Sequence, residues 1–237
     1  MNKFNLKKRN VRRKAYFDKN NLLSKNGSDL IKDKLKFISK KIDSCLIIDE
    51  DYTIDLTNLN NINTRIINLN DISIVESKFD AVISNFSLQI PLFLNSNNIF
   101  KNILSKLNDN SVFCFNIITS NSMRTLQNIF LEIDEKIYNG VYRRFGPFLE
   151  TSKLIEDLNE NKFKDVVVGI DNLEINYSSL NKIRGDFRKF GISNFFNEKH
   201  RFKKDFLKLT NKLFSKLIDN HKYIPLEIEI ATFTSWK

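Results

Sequence analysis

Three short apolar runs constrain this chain more than any other feature. They lie in "CLIID" from Cys45, "KFDAVIS" from Lys78 and "SVFCFNII" from Ser111. Each is too short for a buried helix and does not alternate with polar residues, so each reads as a strand covered on both faces. Helical stripes lie between and around them. The spacing predicts a helix over 28–42, with Ser28 as its N-cap and Ile31, Leu35, Ile38 and Ile42 inward. A second helix is expected in "NNIFKNILSKL". A third, in "SMRTLQNIFLEIDEKIY", is closed by Gly140.

Strands alternating with helices from Cys45 to about Val168 predict an α/β fold: a mostly parallel sheet with helices on both faces. The later chain continues this with a short helix capped by Thr151, then "KDVVVGIDNLEIN" as a strand pair or one long strand. Two helices follow, the first closed by Gly191, and "LEIEIATFTSW" supplies a last, alternating strand. No repeat and no Pro/Gly/Ser linker divides the chain. The expected organisation is N-terminal basic and amphipathic helices over 1–43, then a domain over 44–237 with a helical cap inserted at about 178–222.

The chain carries 38 Lys/Arg against 28 Asp/Glu, a formal charge of +10. An anionic partner is one explanation. The other is drift, since Lys, Asn, Ile and Phe are enriched throughout, as an A/T-rich genome would produce. Drift is preferred, nucleic acid is not expected as a partner, and an RNA-binding reading rests on charge alone. Cys45 and Cys114 sit in apolar runs and read as buried free thiols. With no CxxC and two distant histidines, His200 and His221, no metal site is expected. A reducing, cytoplasmic setting follows. No apolar run is long enough to span a bilayer.

Several strings carry a resemblance. "KFDAVISNFSLQ" resembles the fourth strand and loop of class I S-adenosylmethionine-dependent methyltransferases, and "ILSKLNDNSVFCFNII" the helix, turn and fifth strand behind it. The stretch from Gly146 to Asn194 resembles one branch of that superfamily. The branch includes the mitochondrial complex I assembly factor that hydroxylates an arginine and its alphaproteobacterial relatives; the malonyl-carrier-protein methyltransferase of biotin synthesis is a more distant cousin. The carrying residues include Pro147-Phe148, Tyr177, Asp186-Phe187-Arg188 and Gly191-Ile192-Ser193-Asn194. The basic opening "LKKRNVRRK" resembles the start of the bacterial forms, which argues for a helix there and against a transit peptide.

The resemblance implies a Rossmann-like class I methyltransferase fold, S-adenosylmethionine as cofactor, and a protein substrate or assembly partner. It implies a cofactor site from Asp49 after the first strand, Asp71 after "RIINLN", and Ser84, Asn85 and Phe86 after the fourth-strand motif. Asp71 has an equal reading as a turn-capping residue, and Ser84 to Phe86 as a plain loop start. Tyr177, Arg188 and Asn194 read either as pocket residues under the cap or as cap packing. Arg143 and Arg144 read as an anion contact or, preferably, as a solvated basic turn.

Two departures stand out. The family places glycines directly after its first strand, where the backbone passes close to the cofactor. Here Glu50, Asp51 and Tyr52 follow Asp49, and no glycine occurs between Ser44 and Arg65. The family also places a helix, a second strand ending in a ribose-binding acid, and another helix before its third strand. Only fifteen residues separate Asp49 from Arg65, too few for all three, so the first βαβ unit is expected to be trimmed; Asp55 as a remnant of the ribose acid is the less favoured reading of that residue. Two functions stay open: a transferase acting on a protein side chain, or an inactive methyltransferase-fold module that no longer binds the cofactor.

Overall fold

The computed structural model describes residues 4–16, 18, 21–49, 54, 62–193, 196 and 203–237, without the side chains of residues 6, 10 and 12–14. In chain order the elements are α1 (Leu6–Tyr16), α2 (Leu22–Lys36), β1 (Ser44–Ile48), β2 (Asn63–Ile67), a 3-10 helix (Leu69–Ile74), β3 (Phe79–Asn85) and α3 (Gln89–Ser105). There follow β4 (Leu107–Ile118), α4 (Arg124–Tyr138), α5 (Thr151–Glu160), β5 (Lys164–Tyr177), α6 (Leu180–Phe190), α7 (Lys204–His221) and β6 (Ile224–Trp236). The strands form one sheet in the order β2-β1-β3-β4-β6-β5. β2, β1, β3 and β4 run parallel, and β6 is antiparallel to β4.

The chain forms two compact units. Residues 1–18, 121–146 and 172–228 make the first; residues 19–120, 147–171 and 229–237 make the second, which holds β1 to β4. β5 and β6 contribute to both.

In the second unit the sheet is covered on both faces because its strands are apolar on both. Successive side chains alternate. Leu46 and Ile48, Val82, and Phe113 and Phe115 enter one core with Phe100 of α3, Leu154 and Leu158 of α5, and Phe163. Phe115 stacks on Phe233 of β6 at 4.8 Å and on Phe113 at 4.6 Å. Cys45 and Ile47, Ala81 and Ile83, and Val112 and Cys114 face the other way, onto Ile31 and Leu35 of α2. The expectation for both cysteines is met: they are free and buried.

In the first unit, α4 and α7 pack through aromatic rings, with Phe130 parallel to Phe206 at 6.2 Å. Ile183, Phe187 and Phe190 bury the inner face of α6, and Phe145 meets Phe187 edge-on at 5.4 Å.

Several boundaries differ from the expected ones. α2 begins at Leu22, where Asn21 accepts from the Ser24 backbone N–H at 2.9 Å, and it ends at Lys36. Ser28 is therefore a buried mid-helix residue and not a cap. Gly27 lies inside the helix. α4 closes on Asn139 in the left-handed region (φ 51°), one residue before Gly140. The N-cap of α5 is Glu150, with no side-chain cap bond, rather than Thr151. Ser179 and Gly191 cap α6, the latter as expected. "KDVVVGIDNLEIN" forms one long strand.

Candidate functional site

From β1 the sheet extends to β2 on one side and to β3 on the other. Such a topological switch point opens a crevice at the carboxyl ends of the strands, where open α/β sheets bind ligands. The sequence supplies polar residues there and apolar ones elsewhere.

Asp49 is the first residue beyond β1. Its backbone N–H donates to the Ile67 carbonyl at 3.0 Å, which prolongs the β1–β2 ladder by one step and fixes where the carboxylate stands. That carboxylate is buried and accepts from the Ser87 hydroxyl at 3.1 Å. Across the switch point, the Ser84 hydroxyl donates to the Ile48 carbonyl at 2.8 Å, tying the ends of β1 and β3 together.

Asn85 and Phe86 turn toward α2. The Asn85 amide donates to the Ser24 carbonyl at 2.8 Å, and its oxygen accepts from Asn116 at 3.2 Å. Asn116 also donates to the Gly27 carbonyl at 2.6 Å. A Cβ on Gly27 would stand 2.2 Å from the Asn85 oxygen and 2.4 Å from the Phe86 ring, so this crossing of helix and sheet requires glycine. Phe86 itself has φ 58°, which swings the chain out of β3 toward α3. Gln89, in the first turn of α3, closes the carboxyl end of β4. Its amide nitrogen donates to the carbonyls of Ile118 and Pro147, and its oxygen accepts from the Ile118 N–H, all at 2.8 Å.

Beside these residues lies a cleft of about 420 Å³. Asp49, Arg65, Ile67, Asn68, Asp71 and Val75 are among its walls. The structure therefore brings Asp49 and Asp71 into one cavity and adds Arg65. Asp71 sits in the 3-10 helix that follows β2. "TRIINLN", read as the third strand of the resemblance, instead pairs directly with β1 (Ser44↔Asn63 through Ile48↔Ile67) and is the second strand of this sheet. Ser84, Asn85 and Phe86 are not among the residues that line the cleft. Glu50, Asp51, Tyr52 and Asp55 lie outside the described residues.

The remaining sequence candidates belong to the first unit. Arg144 is not a solvated turn residue. It pairs with the fully buried Asp134 and lies 4.4 Å above the Phe206 ring. Burial lowers its pKa, and Asp134 opposes that shift. Asp134 also accepts from the Tyr142 backbone N–H at 3.1 Å. Arg143 is exposed in the adjoining turn and does not line the cleft of the second unit. Tyr177 is buried and donates to Asp186 at 2.8 Å; burial and that carboxylate push its pKa up. The Arg188 guanidinium lies 5.5 Å above the Tyr16 ring. Asn194 lies outside the described residues. Among the described residues no cluster of His, Cys, Asp or Glu is arranged to hold a metal, and no helix is long and apolar enough to cross a membrane.

Sequence reasoning missed Ser87, Gln89 and Asn116. Asn116 had a signal, a lone amide inside "VFCFNII". Gln89 had none, because its partners are backbone groups far away in sequence.

No protein-family model matches the chain, and no curated protein matches it. Solved structures do. The YcgJ protein of Bacillus subtilis superimposes with a TM-score of 0.50 at 11% identity, over 90% of this chain and 98% of that one. A SAM-dependent methyltransferase of Archaeoglobus fulgidus gives 0.50 at 10% identity, over 90% and 94%. At these identities the likeness speaks for the fold. The chain has the α/β, Rossmann-like fold shared by class I S-adenosylmethionine-dependent methyltransferases.

Proposed function

We propose that this chain is a divergent S-adenosylmethionine-dependent methyltransferase-like protein acting on a protein side chain. One observation carries the cofactor half of this reading: the buried Asp49 carboxylate stands at the switch point and shares its cleft with Asp71 and Arg65.

The residues present fit the group. The cleft volume lies within the range of small-molecule sites, roughly 300–1,000 Å³. Asp49 and Asp71 suit the cofactor's cationic and hydroxyl-bearing parts, and Arg65 suits its carboxylate. When bound, S-adenosylmethionine supplies an electrophilic methyl on a sulfonium. The chain's own part is to hold the two reactants in line and to keep water out, which requires no acid or base of its own. The protein substrate, and a role in assembling a respiratory complex, are supported by the resemblance of the stretch Gly146–Asn194.

A second reading keeps the fold and drops the cofactor, leaving a binding or assembly module. It is favoured by the lack of any glycine between Ser44 and Arg65, and by the commitment of Asn85 to hydrogen bonds with Ser24 and Asn116. Calorimetric titration with S-adenosylmethionine and S-adenosylhomocysteine separates the two. The first reading expects binding heat, weakened about tenfold or more in Asp49→Asn, a loss of roughly 1.4 kcal/mol. No heat and no thermal stabilisation at millimolar ligand leaves the module.

A further inference from the structure

The charge of this chain is divided between its two units. The first unit carries 23 Lys/Arg against 10 Asp/Glu, net +13; the second carries 15 against 18, net −3. Compositional drift acts on the whole chain and does not sort charge by unit. The asymmetry calls for a reason that belongs to the first unit.

Within that unit the cations are arranged. Lys204, Lys208, Lys212 and Lys216 recur every four residues along α7, and all four are exposed. At 1.5 Å per residue the row is about 18 Å long. The opposite face of α7 is already used: Phe206, Thr210 and Phe214 are buried there. None of the four lysines has an ion-pair partner among the described residues. Other helices differ, in the first unit as well, where Lys136 of α4 pairs with Glu132 at 2.5 Å. Lys36 of α2 pairs with Asp33 at 2.7 Å, and Lys153 of α5 with Asp157 at 2.8 Å. The same unit packs α1, which has no acid, against α6, whose one acid, Asp186, is held by Tyr177 and Lys189.

We propose that the first unit binds single-stranded RNA, with the lysine row of α7 as its phosphate contact. An evenly spaced cationic ridge matches a polyanion backbone, and the two acids of α7, Asp205 and Asp219, stand at its two ends and leave Lys208 to Lys216 without an acid between them. Exposed aromatic rings lie on the same unit: Tyr223, just past α7, is 40% exposed, and Tyr16, at the end of α1, is 54% exposed with Arg188 over one face of its ring and the other face left for a base. Bases stack on such rings, and only unpaired strands offer their faces. A bilayer surface fits less well, because α7 buries Phe206 and Phe214 and leaves Leu207 as its one exposed large hydrophobic residue, and α1 carries little apolar surface to insert. An acidic protein would need an apolar interface core beside the charge. This inference does not depend on cofactor binding.

The test is fluorescence anisotropy of the full chain with a labelled 16-nucleotide RNA at 50 to 200 mM salt. Each phosphate contact on a single strand contributes a log–log salt slope of about −0.7, so four contacts alone weaken binding about 50-fold over that range. The variant K204Q/K208Q/K212Q/K216Q flattens the slope by about 3. K25Q/K41Q/K78Q/K101Q removes the same charge from exposed sites of the second unit and leaves affinity and slope unchanged. If the first variant fails to melt cooperatively, K212Q/K216Q replaces it, with a slope change of about 1.4. Salt-independent binding overturns the proposal, and so does equal loss in the two quadruple variants. Tighter binding of duplex DNA, polyglutamate or phosphatidylserine vesicles than of the RNA also overturns it, whatever the outcome with S-adenosylmethionine.

Discussion

Cys45 and Cys114 show what a side chain inherits from its place in a sheet. Both lie on the face covered by α2, and burial pushes each thiol up to about 12 from an ordinary value near 9. Cys114 also accepts a weak bond from Thr234 at 3.8 Å. The folded chain holds these protons where the unfolded chain releases them. The stability that these two thiols contribute is therefore complete below about pH 9 and is lost as pH rises toward about 12. Chemical denaturation between pH 8 and 11 tests this. The fall is expected to be shallower in C45A/C114A, and an identical slope in both proteins refutes it. At neutral pH neither thiol reacts with a soluble disulfide reagent until the protein unfolds.

Among the elements, α2 is the most instructive. Its sequence reads as a helix from Ser28 because the apolar stripe starts at Ile31 with a good capping residue before it, and local reasoning has no access to Asn85 and Phe86 pressing on Gly27 from the sheet. Gly27→Ala raises helix propensity yet is expected to destabilise the protein by about 1–3 kcal/mol, since the added methyl overpacks the crossing. Urea unfolding measures this; a neutral or stabilising result means that α2 can slide on β3. The contrast with β3 and β4 explains what was legible. Continuous apolar runs and helical stripes are local signals, and they yielded the strands, the helix order and the fold class. Asp49 and Asp71 were legible as acids following strands. Ser87, Gln89 and Arg65 were not, because their roles arise from pairing across the sheet and from the direct union of β1 with β2. Arg144 was misplaced for the same reason: nothing near it in sequence announces a buried Asp134 one helix away.

At the scale of the molecule, β6 is indispensable to both units. Its first residues, through Ile228, belong to the first unit, and the rest pair with β4 from Trp236 opposite Val112 to Ile230 opposite Ile118. A chain cut after Lys222 loses Phe233 from the aromatic core and leaves β4 with an open edge. Fragment 1–222 is expected to show no cooperative thermal transition in either near- or far-ultraviolet circular dichroism. A cooperative melt of that fragment refutes the dependence.

The chain passes between the two units five times, and two of the passages fall inside β5 and β6. This bears on how the protein is made. As it leaves the ribosome, the apolar strands β1, β3 and β4 emerge long before β6, which seals one side of β4. Neither unit can finish folding until β6 emerges. The nascent chain thus spends most of its synthesis time with sticky strand edges exposed, the condition that holding chaperones exist to manage.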